Sequence, residues 1–545
     1  MAASRRVAAR QRWKIEVPRV IVVNLSYRGG TDVLRHEAKF PCAGLAPLRG
    51  VWTLRVWCGR TLWGINLQPQ LARTLTLPSA VAINMLDMIG VGPFITVPLL
   101  LGAMGGPQAM LGWIFGAGLA LCDGLVWAEL GAAMPEAGGS YRFLRTIYPG
   151  ELGKFLAFLF VFQLMISAPL SVASGCIGLA QYASYVFPSL GRHALHGGRF
   201  AVSPGTGVAI GAVLLAVTLL YRNLSSLRVI SYTLWIAVIG TVGWVLLTAA
   251  LYGHWRQAFT FPLHAFALTP AFFSGLAVSM LIATYDFWGY YNVTFLGAEV
   301  RDAARTIPRA ILISIGLVAV LYLSLNVAIL TVVPWRPLLG AQALGARQAL
   351  IATFMQIAYG GRFGVDVGTA LAKLAAVLVM VTAFASVFSL LLGYSRIPFA
   401  AARDGNFFRG FGRLHPTRGF PYVSLLYLGG AATLFCFFSL GEVIAALVVL
   451  RIVVQFLLQH VGVMYLRRTQ PGMPRPFRIW LYPLPPVLAL VGFSYILFVR
   501  PNAHRELGMA GAVVALGVGA FYLRAVLDRR REPIAVHPMN DTRLG

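Results

Sequence analysis

The sequence has 545 residues, of which 58% are hydrophobic and only 12% are charged, and its formal net charge is +27. Soluble proteins carry roughly 25% charged residues, and the apolar residues here form long runs without amphipathic alternation. This composition indicates a polytopic membrane protein. The basic excess is expected in cytoplasmic loops and does not indicate a nucleic-acid partner. The five cysteines show no CxxC pair and no metal-ligand spacing, so no metal site and no cofactor are predicted.

The segment at 1–75 differs in composition from the rest of the chain. It carries thirteen basic residues against Glu16, Asp32 and Glu37, and it shows no sustained helical period. It has no long apolar core followed by a small-residue cleavage site, which argues against a secretory signal. Two interpretations stay open: a disordered basic cytoplasmic tail, or translated sequence upstream of the true start. We expect this segment to be dispensable.

Twelve apolar spans follow in chain order, and a helix that crosses the hydrocarbon core needs roughly 20 such residues. They lie near 77–103, 107–131, 153–186, 206–222, 229–252, 270–298, 309–333, 368–395, 421–439, 443–466, 480–498 and 506–527. Loops on one side of these spans hold seventeen Arg and Lys residues, against eight on the other side. Because cytoplasmic loops are enriched in basic residues, both termini are predicted to be cytoplasmic. The first ten spans form a core at 76–466, two further helices occupy 467–527, and a tail covers 528–545.

The first and sixth spans contain residues that disfavour a continuous helix. The first includes MLDMIGVGPFIT at 85–96, and the sixth includes LIATYDFWGYYNVTF at 281–295. Glycine in both stretches and proline in the first interrupt helices. Paired interruptions of this kind indicate a transporter with inverted repeats and a binding site near the bilayer midplane. The alternative interpretation is that the glycines are small residues for close helix packing.

Backbone groups freed at the two interruptions predict a site for an α-amino acid. An unwound segment at 89–92 would present the N–H groups of Val91, Gly92 and Phe94 at the positive end of a helix dipole, which favours a carboxylate. Carbonyl groups freed around 287–289 would accept hydrogen bonds from an ammonium group. A carboxylate position that faces an ammonium position matches a zwitterionic amino acid.

Two acidic residues precede the interruptions by one helical turn. Asp87 lies three residues before Gly90, and Asp286 lies three residues before Gly289. Charges inside a membrane cost roughly 2.5–3.5 kcal/mol on insertion scales, so each such residue is a candidate for function. Either carboxylate would bind a cationic group or carry a proton; the alternative is that both cap amides freed at the breaks.

Five stretches in order resemble the amino acid–polyamine–organocation (APC) superfamily of secondary transporters, over roughly 77–500. They are IGVGPF at 89–94, VWAELGAAMPEAGGSYRFLR at 126–145, GYYNVTFLGAEVRDAARTIPRA at 289–310, YSRIPFAAARDGNFFRGFGRLHPTRGFPYVSLL at 394–426 and RPFRIWLYPLPP at 475–486. The resemblance implies an all-α integral membrane fold of about twelve transmembrane helices. Its core would be a five-plus-five inverted repeat (LeuT-like) with broken helices 1 and 6.

The resemblance also implies substrate contacts by the unwound backbone and by aromatic residues of the sixth span. Together with the pattern above, the predicted substrate-binding residues are Ile89, Gly90, Val91, Gly92, Tyr285, Asp286, Phe287, Trp288 and Gly289. Asp286 is favoured over Asp87 as the proton carrier, because it adjoins the aromatic segment expected to gate the site.

The implied activity is secondary active transport of amino acids across the plasma membrane by alternating access, and not an enzymatic reaction. Many relatives carry a lysine in the fifth helix in place of a sodium ion, but the stretch at 229–251 contains none. With two embedded carboxylates, this favours proton-coupled symport. A polyamine or another organic cation is the alternative substrate, and an amino acid sensor that does not transport also stays open. The expected partners are a small-molecule substrate, protons and membrane lipid.

Overall fold

The computed structural model describes residues 53–58, 61–66, 73–191, 195–197, 200–221, 224–340, 344–500 and 503–529. The chain divides into two units, Met1–Gln70 and Leu71–Gly545. In the first unit the described residues form an antiparallel hairpin of β1 (Thr53–Cys58) and β2 (Thr61–Asn66), which the sequence pattern did not predict. The other residues of the predicted N-terminal tail up to 72, and those of the predicted C-terminal tail from 530, lie outside the described residues.

The second unit consists mainly of helices, with one short hairpin of β3 (Leu195–Gly197) and β4 (Phe200–Val202). In chain order the helices are α1 (Leu77–Met88), α2 (Gly92–Ile95), α3 (Val97–Met104), α4 (Met110–Ala133), α5 (Ser140–Ile147), α6 (Gly150–Val186), α7 (Pro204–Leu220), α8 (Leu224–Tyr252), α9 (Trp255–Ala258), α10 (Pro270–Phe287), α11 (Asn292–Phe295), α12 (Ala303–Val332), α13 (Trp335–Leu339), α14 (Leu344–Gln348), α15 (Leu350–Phe363), α16 (Val365–Tyr394), α17 (Arg396–Arg403), α18 (Tyr422–Phe435), α19 (Leu440–Arg451), α20 (Leu457–Thr469), α21 (Leu484–Phe498) and α22 (Ala503–Arg529). A π-helical turn at Ile452–Phe456 joins α19 to α20.

Within the described residues, nine helical segments are long and apolar enough to cross a membrane. Three shorter apolar helices, α7, α18 and α21, lie at three further predicted spans. Each of the twelve predicted spans overlaps at least one helix, and the protein is a multi-pass membrane protein. That all twelve spans cross the membrane, and that they form an inverted repeat, stay predictions.

The first span is interrupted where its glycines and proline predict it. Helix α1 ends at Met88 and α2 begins at Gly92, so the non-helical residues are 89–91. The prediction of an unwound segment at 89–92 was thus one residue too long. Pro93 lies in the first turn of α2, where the missing N–H leaves no hydrogen bond unmade.

The sixth span is interrupted between α10 and α11, at 288–291. Gly289 has a φ of +127°, a backbone conformation that side chains disfavour. A Cβ atom at this position would lie 2.7 Å from the amide nitrogen of Met88 and 2.8 Å from the carbonyl carbon of Asp87. The two interrupted segments therefore contact each other through their backbones, and only glycine allows the approach.

Neighbouring helices hold the interrupted segments through hydrogen bonds to their backbone groups. Tyr322 of α12 donates to the carbonyl oxygens of both Met88 (2.5 Å) and Asp286 (3.2 Å), one at each break. Asn84 of α1 accepts from the backbone N–H of Val293 at 2.9 Å. Since polar groups in a bilayer must be satisfied within the protein, these contacts stabilise the breaks. Helix α1 packs against α12 and α16, and α10 packs against α3 and α4.

Buried and half-buried charges join the stretches that carry the family resemblance. Glu129, only 1% exposed, accepts from Arg467 Nε at 2.9 Å and from the backbone N–H of Ile479 at 2.8 Å. Arg396 Nε donates to Glu299 Oε1 at 3.2 Å. The 126–145 stretch is thereby tied to the 475–486 stretch, and the 289–310 stretch to the 394–426 stretch.

A second polar cluster lies in the loop region around α5. Arg142 Nη1 lies 2.7 Å from Asp404 Oδ2, and the Tyr141 hydroxyl donates to the same oxygen at 2.9 Å. Burial and the adjacent Asp404 carboxylate raise the pKa of the Tyr141 phenol, so the hydroxyl stays protonated and acts as a donor. This cluster ties the 126–145 stretch to the 394–426 stretch.

Candidate functional site

A small cavity lies between the two interrupted spans. Its volume is about 40 Å³, which holds a few water molecules at roughly 10–15 Å³ each. Its walls come from the end of α1 and the unwound segment, from the end of α10, and from polar and apolar residues of α6, α16 and α19. Two carboxylates, a guanidinium and several hydroxyl groups converge on this space, which is the pattern of a binding site.

A larger groove is less suited to be the site. It measures about 490 Å³ and lies between α6, α19 and α22. Much of its wall is apolar, with side chains such as Leu170, Leu450 and Met509. The smaller cavity is the better candidate, because polar groups there converge from several helices.

The structure brings most of the predicted site residues to this cavity. Its lining includes Gly90, Val91, Gly92, Tyr285, Asp286 and Trp288, together with Asp87. Three predicted residues do not line it. Ile89 is fully buried in the core, Phe287 packs edge-on against Trp113 with ring centroids 5.8 Å apart, and Gly289 abuts the first span. These three position the cavity wall and do not face its interior.

Two backbone N–H groups are available at the unwound segment. Within the described chain, no hydrogen bond uses the N–H of Val91 or of Gly92. The N–H of Phe94 donates to the carbonyl oxygen of Val91 at 3.0 Å, so its predicted availability was wrong. The available pair lies at a helix start, where an anion is favoured.

Asp286 contacts the first span on two sides. Its Oδ2 accepts a 2.6 Å hydrogen bond from Thr96 Oγ1. Its Oδ1 has no hydrogen-bond partner in the described chain and lies so close to Gly92 that a Cβ there would be only 1.9 Å away. Gly92 therefore leaves space for the carboxylate. Gly90 leaves space for Ser386 in the same way, because a Cβ at Gly90 would lie only 2.9 Å from Ser386 Oγ.

Asp87 lies at the end of α1 and is also buried. Its Oδ2 has no hydrogen-bond partner among the described residues. Its carbonyl oxygen accepts from Ser386 Oγ at 3.2 Å. The side chain is thus free to interact with a cationic group in the cavity.

Arg451, at the end of α19, is a cavity residue that the site prediction does not include. It is 3% exposed, and its Nη2 donates to Ser171 Oγ at 2.8 Å. Its guanidinium carbon lies 5.5 Å from the ring centroid of Trp288 and 5.0 Å from that of Tyr394. The sequence contained a signal for this residue, because Arg451 is the single arginine of the apolar span at 443–466. A charged side chain inside a membrane costs free energy, so such a residue is a candidate for function.

A model of the amino acid permease family matches residues 75–521. The chain belongs to the amino acid permease family. It is 26% identical over 486 residues to the Asc-type amino acid transporter 1 of Mus musculus, covering 87% of this chain and 84% of the relative. A branched-chain amino acid permease of Bacillus subtilis is 25% identical over 431 residues, covering 76% and 86%. A serine/threonine exchanger of the same organism is 23% identical over 421 residues, covering 75% and 87%.

The expected membership of the APC superfamily is confirmed, and the permease is a transporter and not an enzyme. Its polar groups continue beyond the cavity. Tyr285 Oη shares a 2.9 Å hydrogen bond with Ser174 Oγ of α6. Trp288 stacks on Phe456 of the π-helical turn, with centroids 4.9 Å apart. π-helical turns occur frequently at functional sites, and this one directly follows the cavity residue Arg451.

A buried polar cluster of the permease lies beside the cavity without lining it. His460 Nε2 lies 3.2 Å from Asp123 Oδ1, and the Tyr290 hydroxyl donates to Asp123 Oδ2. His460 Nδ1 lies 2.6 Å from the carbonyl oxygen of Phe456. The cluster joins α4, the break of the sixth span and the π-helical turn.

Proposed function

We propose that this permease is a secondary active transporter that moves zwitterionic amino acids across the plasma membrane by alternating access. The observation that carries the proposal is the cavity between two interrupted spans, where unused N–H groups of the first span lie next to a buried carboxylate of the sixth. The relatives named above, all amino acid transporters or exchangers by name, support the same substrate class. In this proposal the core is a five-plus-five inverted repeat and both termini are cytoplasmic.

The substrate's carboxylate binds at the N–H groups of Val91 and Gly92, where the start of α2 favours negative charge. The substrate's ammonium group binds at the Asp286 carboxylate, whose Oδ1 lacks a partner within the described chain. Since Asp286 lies against Gly92, the two positions are neighbours, as the α-carboxylate and α-ammonium groups of one carbon require.

Proton coupling follows from the surroundings of Asp286. A buried carboxylate without a cationic partner is unfavourable while it is charged. In the described structure Asp286 has the Thr96 hydroxyl as its donor and no ion pair. We therefore assign proton uptake and release to Asp286 as the cavity opens to either side, with Asp87 as the second candidate.

The test is transport by purified protein reconstituted into proteoliposomes. Labelled alanine, serine and leucine are supplied outside, with a pH gradient that is acidic outside or with none. We expect gradient-driven accumulation of at least one of these amino acids, and exchange without a gradient. Uptake that requires sodium and ignores the pH gradient would contradict the coupling.

A polyamine or another organic cation is the second candidate substrate, because two carboxylates line the cavity. Labelled putrescine in the same assay separates the two. Binding of amino acids in a thermal-shift assay without any flux would identify a sensor, because a ligand that binds the native state raises its apparent stability.

A further inference from the structure

Arg451 places a permanent positive charge in the proposed substrate cavity. The guanidinium of arginine stays protonated in proteins, and this one is almost completely buried. Besides Ser171, its donors reach Ser167 Oγ at 3.3 Å, the carbonyl oxygen of Ser167 at 3.4 Å and the Tyr291 hydroxyl at 3.3 Å. All of these acceptors are neutral.

Arg451 forms no direct ion pair with a described carboxylate. No carboxylate oxygen of the described residues lies within 4.0 Å of its nitrogen atoms. Asp87 lines the same small cavity as Arg451, so the two opposite charges attract each other across it. Asp286 instead lies at the other wall, against Thr96 and Gly92. The cavity therefore holds one carboxylate whose charge Arg451 offsets and a second one that is left for the substrate.

We propose that Arg451, by offsetting the charge of Asp87, restricts the cavity to substrates with a single cationic group, so that lysine-like amino acids and polyamines are excluded. This rests on the proposed function. In the proposed binding mode the α-ammonium group of an amino acid occupies the position at Asp286. A second ammonium group on the same substrate would lose its hydration in the cavity and find no carboxylate with an uncompensated charge. Burial of an unpaired charge is strongly unfavourable. In a variant without the charge of Arg451, the charge of Asp87 is no longer offset, and Asp87 can pair with the second ammonium group.

Four proteins test this in proteoliposomes: the wild type, Arg451→Gln, Arg451→Lys and the double variant Arg451→Gln/Asp87→Asn. Each is assayed for exchange of labelled alanine against unlabelled alanine, lysine or putrescine as competitor. In the wild type, lysine and putrescine compete weakly. In Arg451→Gln their potency relative to alanine rises by about tenfold or more, as expected for an unmasked buried charge.

Arg451→Lys is the matched control, because it keeps the charge and changes the shape, and its relative potencies stay close to those of the wild type. The double variant removes both charges, and the gain in lysine and putrescine potency is lost again. A pure packing role for Arg451 predicts similar ratios in all variants. Unchanged ratios in Arg451→Gln, or a wild type that accepts lysine as well as alanine, overturn the proposal.

A second arm applies if Arg451→Gln does not fold. Asp87→Asn alone leaves the positive charge unopposed, and the potency of glutamate relative to alanine then rises; an unchanged glutamate ratio overturns the proposal. The two proposals fail in different ways. If the wild type neither transports nor binds any amino acid, the proposed function is wrong. If it transports alanine but no ratio shifts, only the role of Arg451 is wrong.

Discussion

Asp286 contacts both interrupted spans, since it lies at the end of α10 and accepts a hydrogen bond from Thr96 beyond the first break. Any separation of the two spans therefore changes the contacts of this carboxylate. The charged carboxylate attracts an ammonium group, and the protonated carboxyl still accepts a hydrogen bond from that group at its carbonyl oxygen, so a proton and an amino acid can occupy the cavity together. This is the chemical requirement for a proton carrier that is coupled to substrate binding.

Asp286→Asn is expected to abolish accumulation that is driven by a pH gradient while exchange of labelled alanine persists at a reduced rate. Asparagine keeps the acceptor for Thr96 but carries no titratable proton. The measurement is uptake with and without an imposed gradient, next to exchange in the same vesicles. If accumulation persists in the variant, the proton carrier is another residue, and Asp87→Asn is the next to test. If substrate binding itself is lost, Asp286 acts chiefly as the ammonium ligand.

Gly92→Leu is expected to abolish binding of amino acids in a thermal-shift assay. A side chain at this position collides first with Asp286, so the variant displaces the proposed ammonium ligand as well as filling the space of the substrate. Gly102→Leu is the matched control, because a Cβ at Gly102 meets no atom within 4 Å. Normal binding by a folded Gly92→Leu protein would contradict the site.

At the scale of helices, both breaks are predictable because their causes are local. Glycine and proline weaken a helix at their own positions, and the structure interrupts the chain at 89–91 and 288–291. Contacts across the fold were not predictable in the same way. The contact between Asp286 and Gly92 joins residues far apart in the chain, and the hydrophobic periodicity of the sequence does not predict it.

Arg451 was predictable in kind but not in its partners. Its place in an apolar span marks it as exceptional, whereas its neighbours Ser171 and Trp288 come from other helices. The π-helical turn that follows it lacks a glycine or proline signal in the stretch IVVQF. Local sequence therefore identifies the unusual residues, and tertiary packing decides which of them share a cavity.

Glu129→Gln is expected to destabilise the protein by about 3 kcal/mol, the usual scale for removing one partner of a buried ion pair. The carboxylate accepts from Arg467 and from the backbone of Ile479, so its loss releases the segment before α21 from the end of α4. Glu136→Gln is the control, since that side chain is 65% exposed. Thermal unfolding in detergent compares the two, and equal midpoints would contradict an anchoring role.

At the scale of the whole molecule, backbone hydrogen bonds near residue 75 connect the start of the first span to the loop after the sixth span. The N–H groups of Thr74 and Leu75 both donate to the carbonyl oxygen of Glu299 at 2.9 Å. The N–H of Arg301 donates in turn to the carbonyl oxygen of Leu75 at 2.8 Å. These bonds hold the residues before α1 against the loop after the sixth span, and the last residues of the basic segment belong to the second unit.

Deletion of residues 1–70 is therefore expected to leave membrane insertion and amino acid uptake unchanged, because the chain divides between Gln70 and Leu71 and the contacts at Glu299 are kept. Deletion of 1–76 removes those contacts and is expected to reduce uptake, since the first broken span then loses its anchor beside the sixth. Uptake per inserted molecule, from fluorescence of a C-terminal fusion and labelled alanine, compares both with the full chain. If the shorter deletion inserts normally but loses activity, the N-terminal segment takes part in transport. If both deletions are fully active, the backbone hydrogen bonds near residue 75 do not hold the first span in its working position.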